Sequence, residues 1–275
     1  MTVSVAVHPQ SILRTQRISP GDLEVGGELA GLPPGSTRYV RYNDLLKLPQ
    51  ETYTVTDDPN LPRNTTISGV ALTTLARLFG ESPRSTLIVA IGYDRYRTNY
   101  PLDYLAAHHP LLVLRINGQL RNKWPRSTSG GSLAPYLISH PFFKPAFKVL
   151  SHEDELQIPY GVVRLEFRRE AVVFGAIRPR GNWPAGSPVD QGYRIARQDC
   201  FRCHNSGPEG GQMAGKSWTE LGSIAQSDPE RFMRIIRNPA SVAAGAKMPG
   251  EPGYDRATLE ALTAYFRTFA PRPHR

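Results

Sequence analysis

Hydrophobic and polar positions along residues 36–177 follow two different periods. Leu72, Leu75, Ala76 and Phe79 share one helical stripe, which predicts a helix over residues 67–79 with Gly80 as its stop signal. Pro101 opens a second short helix in PLDYLAAHH, with Asn99 as a nearby cap candidate. Thr86 to Ile91 and Leu111 to Ile116 are apolar runs of strand length, and Asn117-Gly118 after the second is a hairpin signal. Gly161 to Phe167 alternates, with Val163, Leu165 and Phe167 facing one way, and Ala171 to Phe174 is expected to pair with it. Helices and strands mix without a regular strand–helix–strand rhythm, so residues 36–177 read as an α+β domain. Residues 1–35 are polar and rich in glycine and proline, and read as an extended arm.

The pattern changes after residues 178–189, where three prolines and two glycines mark a linker. Residues 190–275 are predicted to be helical throughout. A helix runs from Asp190 to Cys203, with Val189, Tyr193, Ala196 and Cys200 on its stripe. Asp228-Pro229-Glu230 supplies cap, first-turn proline and dipole-matching acid for a second helix, whose apolar face is Phe232, Ile235 and Ile236. The last helix spans Arg256 to Ala270, with Leu259, Leu262, Phe266 and Phe269 in register. The fold class is therefore an α+β domain followed by an all-α domain.

Composition narrows the classes. The 275 residues are 40% hydrophobic, enough for a packed core, and no apolar run approaches the roughly 18 residues of a membrane helix. The net charge is +9. It is spread thinly, with 12 basic and 9 acidic side chains in residues 190–275, and no block of basic residues or nucleic-acid motif appears. Such an excess suits an acidic partner protein or an anionic ligand as well as nucleic acid, and it is the missing basic block and motif that argue against nucleic acid. Arg115, Arg121, Lys123 and Arg126 form an acid-free run, read as a solvated face ahead of a phosphate or carboxylate site. His108-His109 ends a helix, where a cation suits the dipole, and is not read as a metal site. Asp94 and Asp103 fall near loops with no paired role.

Both cysteines lie in Cys200-Phe201-Arg202-Cys203-His204, the Cys-x-x-Cys-His attachment signal of a c-type haem. One helical turn separates the sulfurs, so both reach the vinyl groups on one porphyrin edge, and the next residue turns its imidazole beneath the iron. A redox disulfide and half of a zinc site are the alternatives. The first wants a strand–helix–strand context that is missing, and the second needs two further ligands where His204 offers one. For the sixth position, Met248 in Ala-Lys-Met-Pro-Gly lies in a loop before the last helix and is favoured. Met213, nine residues past His204, is second, and a site without methionine is third. Met233 sits mid-helix beside Phe232 and Ile236 and reads as core.

Residues 188–271 resemble a small monohaem cytochrome c domain. The likeness rests on Gly192, Cys200-x-x-Cys203-His204, the middle helix followed by Asn238-Pro239, Lys247-Met248-Pro249, and Leu262-Thr263-Ala264-Tyr265-Phe266. The resemblance implies one covalent haem c, a crossing of first and last helices at Gly192 and Tyr265, and work in the periplasm or otherwise outside the cytoplasmic membrane. No signal peptide is visible in MTVSVAVHPQSILRTQR, so a removed leader or a misplaced start is inferred. The family's midway Gly-Pro pair, whose proline carbonyl orients the haem histidine, is replaced here by Gly215-Lys216-Ser217-Trp218. The acceptor for His204 Nδ1 is thus left open, with Pro208 a substitute.

Segments 66–79, 86–104 and 111–120 resemble the molybdopterin-binding domain of sulfite-oxidase-type enzymes. The likeness is carried by Ile67-Ser68-Gly69-Val70-Ala71-Leu72, Gly92-Tyr93-Asp94, Leu102-Asp103-Tyr104-Leu105 and Leu112-Val113-Leu114-Arg115-Ile116-Asn117-Gly118-Gln119. That family binds molybdenum through a cysteine, and this chain has no third cysteine. The resemblance therefore implies a degenerate member that keeps the fold and lacks molybdopterin. Two function classes are open. One is an electron carrier whose first domain docks it to a redox partner protein, acidic at the contact. The other is an oxidoreductase whose first domain binds molybdopterin and passes electrons to the haem. Cysteine count favours the carrier. A haem peroxidase would need an open iron position, which Met248 argues against.

Overall fold

A computed structural model describes residues 12–271. The chain forms two compact units, residues 12–144 with 156–170, and residues 145–155 with 171–271.

The first unit is built on two sheets. Its early elements are β1 (Leu23–Gly27), β2 (Arg38–Val40), α1 (Tyr42–Leu45), β3 (Glu51–Val55), β4 (Thr65–Ala71) and α2 (Leu72–Phe79). They continue as β5 (Leu87–Gly92), β6 (Arg97–Pro101), α3 (Leu102–His108), β7 (Leu111–Ile116) and β8 (Leu137–Ser139). The chain then leaves for a hairpin of the second unit, β9 (Lys148–Val149) and β10 (His152–Glu153), and returns as β11 (Val162–Arg168). One sheet has the order β2-β1-β11-β5-β6 with a parallel β1–β11 pair, and the other has the order β3-β4-β7-β8. Leu75 and Phe79 of α2, Leu165 and Phe167 of β11, and Leu112 and Leu114 of β7 are all part of one core.

Four local expectations are corrected by the fold. The arm is not an arm over its described part: Leu23 and Val25 are fully buried in β1, next to the centre of the larger sheet. Residues 1–11 lie outside the described residues. Residues 65–71 are strand rather than helix, because the β-branched run Thr65-Thr66-Ile67 and Val70 bonds to β3 on one side and β7 on the other. The helical stripe starts only at Leu72 and ends at Gly80, whose φ of 70° makes the left-handed cap. In β11 a register shift between Val162 and Arg164 turns Val162, not Val163, into the core with Leu165 and Phe167. Residues 171–174 do not pair with it, but enter α4 (Glu170–Val173) and a 3-10 turn over Phe174–Ile177.

The basic run is partly structural. Arg121 donates to the Gly21 carbonyl at 2.7 Å and lies 4.2 Å over the Tyr42 ring. Arg126 donates to the Gly130 carbonyl at 2.6 Å. His108 is buried and stacks on Phe143 at 4.4 Å, while His109 caps α3 in the left-handed region.

The second unit holds the hairpin β9–β10, then α5 (Pro188–Gln198), β12 (Asn205–Ser206), β13 (Glu209–Gly210), α6 (Trp218–Ser227), α7 (Pro229–Arg237) and α8 (Arg256–Arg267). It is mainly helical but not all-α. The β12–β13 ribbon closes through Gly207, at φ 59°, and Pro208, a turn composition that helical periodicity does not report. Helices α5 and α8 cross at Gly192, where an added Cβ would lie 2.2 Å from the Ala261 carbonyl oxygen and 2.7 Å from Tyr265 Cβ. The core around that crossing is aromatic. Phe201, Trp218, Tyr265 and Phe266 are fully buried, and Trp218 Nε1 donates to the Tyr265 hydroxyl at 3.0 Å. Asp228 caps α7 through Arg231 N, and Met233 is buried on it.

Candidate functional site

Helix α5 starts at Ser187, whose side chain accepts from Asp190 N, with Pro188 in its first turn. It ends at Gln198, and the chain tightens into a 3-10 turn over Cys200–Arg202. Cys203 N and His204 N both donate to the Cys200 carbonyl, at 3.2 and 3.0 Å, so the five motif residues form one continuous turn. Phe201 points inward and is fully buried, in ring contact with Trp218 and Phe174. Cys200 and Cys203 are not joined in a disulfide, and both are half-buried. Burial, with Asp199 adding to it, holds the Cys200 thiol well above its ordinary pKa.

The segment after the motif folds back against it. Gly211 N donates to the Phe201 carbonyl and Ala214 N to the Cys203 carbonyl, both at 3.0 Å. At Gly211 a Cβ would sit 1.8 Å from the Arg202 carbonyl oxygen, so only glycine fits that approach.

His204 is buried, and its Nδ1 lies 2.7 Å from the Lys216 carbonyl oxygen. A carbonyl only accepts, so Nδ1 carries the proton and Nε2 of the neutral ring keeps its lone pair. Burial lowers the imidazole pKa, with the Lys216 carbonyl opposing, so desolvation favours that neutral form. Lys216 therefore supplies the acceptor that the missing Gly-Pro pair left open, and Pro208 does not. The next residues in the chain fix the position of Lys216: Ser217 and Glu220 make a reciprocal capping box that opens α6. The Ser-x-x-Glu spacing was the available sequence signal for this helix.

The methionines lie in different loops. Met213 is in the fold-back segment and nearly half exposed, and Met248 is about one-third exposed in the loop between α7 and α8. That loop is anchored by Glu251 N on the Ile236 carbonyl at 2.9 Å and by the Arg237 guanidinium on the Tyr254 carbonyl at 2.9 Å. Among the described residues no group of three or more His, Cys, Asp or Glu is placed to hold a metal ion.

An acidic cluster flanks the motif. Arg202 pairs with Glu155 and lies 3.1 Å from Asp199 Oδ1. Burial raises Glu155 above the usual carboxylate range against the pull of Arg202. Burial, reinforced by Asp199 and Glu155, pushes Glu251 up to about 7.

Residues 187–266 match the family model for cytochrome c oxidase, cbb3-type, subunit III. This part of the chain is a cytochrome c domain. Such a domain implies haem c, and the unit presents the Cys200–His204 turn together with a neutral histidine whose Nδ1 is already bonded. A search of curated proteins found no match. Among solved structures, the chain is similar to the sulfane dehydrogenase SoxCD from Paracoccus pantotrophus, at 16% identity and a TM-score of 0.37. That alignment covers 57% of this chain and 40% of the other. Residues 12–144 with 156–170 fold as the sheet-rich α+β unit. Among the described residues, no helix is long and apolar enough to cross a membrane.

Proposed function

We propose that the chain is a one-electron carrier with a single covalent haem c, bound through thioethers at Cys200 and Cys203. His204 Nε2 and Met248 Sδ are the groups that would hold its iron. The observation that carries this reading is the Nδ1 bond of His204 to the Lys216 carbonyl, since it fixes both ring orientation and tautomer. When bound, haem supplies reversible one-electron chemistry at iron, with a soft thioether favouring the ferrous state relative to a second imidazole. The protein's share is positional. The 3-10 turn brings Cys200 and Cys203 within one turn of each other, Phe201 anchors that turn in the aromatic core, and the Met248 loop is held at its far end by Glu251 N.

On this reading the first unit is a docking module that brings the cytochrome domain to a redox partner. The chain's net charge of +9 supports a partner acidic at the contact. The chain acts in the periplasm and holds no molybdopterin, since both cysteines are committed to haem and no third exists.

Optical potentiometry on the purified protein tests the assignment. A single reversible one-electron wave with a low-spin spectrum in both states is expected. A high-spin ferric protein that turns over peroxide would overturn it. Stoichiometric molybdenum, in protein from a host able to make the cofactor, would overturn the carrier reading in favour of the oxidoreductase.

A further inference from the structure

The second spacer residue of the motif is held by a segment far from it in sequence. Hairpin β9–β10 and its flanks, residues 145–155, belong to the same unit as the motif although they lie outside the span 187–266. At the hairpin's turn, Ser151 N donates to Thr258 Oγ1 and Asp255 N donates to Ser151 Oγ, both at 3.0 Å. Next comes His152, which is almost fully buried. Gln198 Nε2 donates to Asp154 Oδ1 at 2.6 Å, which turns Gln198 Oε1 toward His152 Nε2 at 2.9 Å. That nitrogen donates, and His152 Nδ1 accepts from the Tyr254 hydroxyl at 2.8 Å. Finally Glu155 meets the Arg202 guanidinium, which also contacts the Asp199 carboxylate and carbonyl. Hairpin residues thus bind residue 198, just before the turn, and residue 202 inside it.

We propose that residues 145–155 are a strap that positions the haem-attachment turn, and that Glu155, through Arg202, sets the charge beside that turn and so the reduction potential. This rests on the haem reading above. Oxidation of a haem adds one positive charge, which a carboxylate held nearby in a poorly hydrated site stabilises more than it would in water. Glu155 and Arg202 side chains are only 29% and 13% exposed, so salt screens them weakly. Glu155 is a positioning residue in this scheme and does not touch the reacting atoms.

The test is the midpoint potential of the full-length holoprotein. Glu155→Gln should raise it, shifting the ferric–ferrous equilibrium several-fold toward ferrous, with haem content and low-spin spectrum retained. Glu153→Gln is the control. It removes the same charge two residues away, from an exposed pair with Lys148, and should leave the potential at the wild-type value. Equal potentials for Glu155→Gln and wild type, or equal shifts for the two variants, would overturn the proposal. Should Glu155→Gln not fold, Glu155→Asp keeps the charge but draws it back from Arg202. A potential unchanged from wild type then overturns the proposal as well. A wild-type protein without covalent haem would sink the haem reading, whereas covalent haem with an unmoved potential sinks only the strap.

Discussion

Replacing Gly192 with alanine sets two effects of opposite sign against each other. In an isolated helix the change is favourable by about 1 kcal/mol. At the α5–α8 crossing the new methyl would lie 2.2 Å from the Ala261 carbonyl oxygen and 2.7 Å from Tyr265 Cβ, against an optimum of about 3.5 Å between non-bonded atoms. Both obstacles are backbone or Cβ atoms, so no side chain can rotate away. The helices must part by roughly 1 Å, a gap that forfeits up to half of each contact's attraction along the interface. Overpacking of this kind costs about 1–3 kcal/mol before the lost contacts are added. The crossing therefore wins, with a net destabilisation of about 2 kcal/mol. For a unit of roughly 100 residues that lowers the midpoint by about 8–16 °C. Thermal unfolding of the full-length protein followed by haem absorbance reads this unit selectively. A midpoint equal to or above wild type, as helix propensity alone would give, refutes the packing argument.

Three further outcomes are expected from the same unit. Met248→Ala should abolish the weak far-red sulfur-to-iron band while haem stays attached, and Met213→Ala should spare it; the reverse pattern identifies Met213 as the ligand. Tyr265→Phe removes a hydroxyl that donates to the Ile177 carbonyl and accepts from Trp218 Nε1, and leaving both buried groups unpaired should cost about 2–4 kcal/mol in denaturant titrations. Glu251 has a folded pKa of about 7 against an ordinary 4.5, so between those values the folded state binds the extra proton. Stability should then fall as pH rises from about 4.5 to 7, by about 1–2 kcal/mol after screening at a half-exposed site. Glu251→Gln should flatten that slope, and an unchanged slope would show that another group is responsible.

The sequence was most readable where function is local. Cys200 to His204 is a contiguous signal, Asp228-Pro229 caps a helix by itself, and Met233 is assigned to the core by its helical neighbours. Other features depend on partners that periodicity does not see. Leu23 and Val25 sit in a glycine-rich stretch, and become core only because β11, some 140 residues later, pairs with them. The Ile67 segment carries residues suited to either state, and strand won because β3 and β7 satisfy its backbone on both sides. Lys216 was invisible as an acceptor because any residue has a carbonyl, and the side chain says nothing about where it points. The strap was invisible for a similar reason. His152 with Tyr254, and Glu155 with Arg202, are contacts across about 100 and 50 residues, and neither pair leaves a local pattern.

The central claim, haem held by two thioethers at Cys200 and Cys203, is tested most directly by the intact mass of the denatured protein after extraction with acidic organic solvent. The account predicts the mass of the chain plus one haem, with Cys200→Ala and Cys203→Ala each reducing the linkage to a single bond and the double variant losing the haem. A wild-type mass equal to the bare chain, with the haem recovered in the solvent, would contradict it.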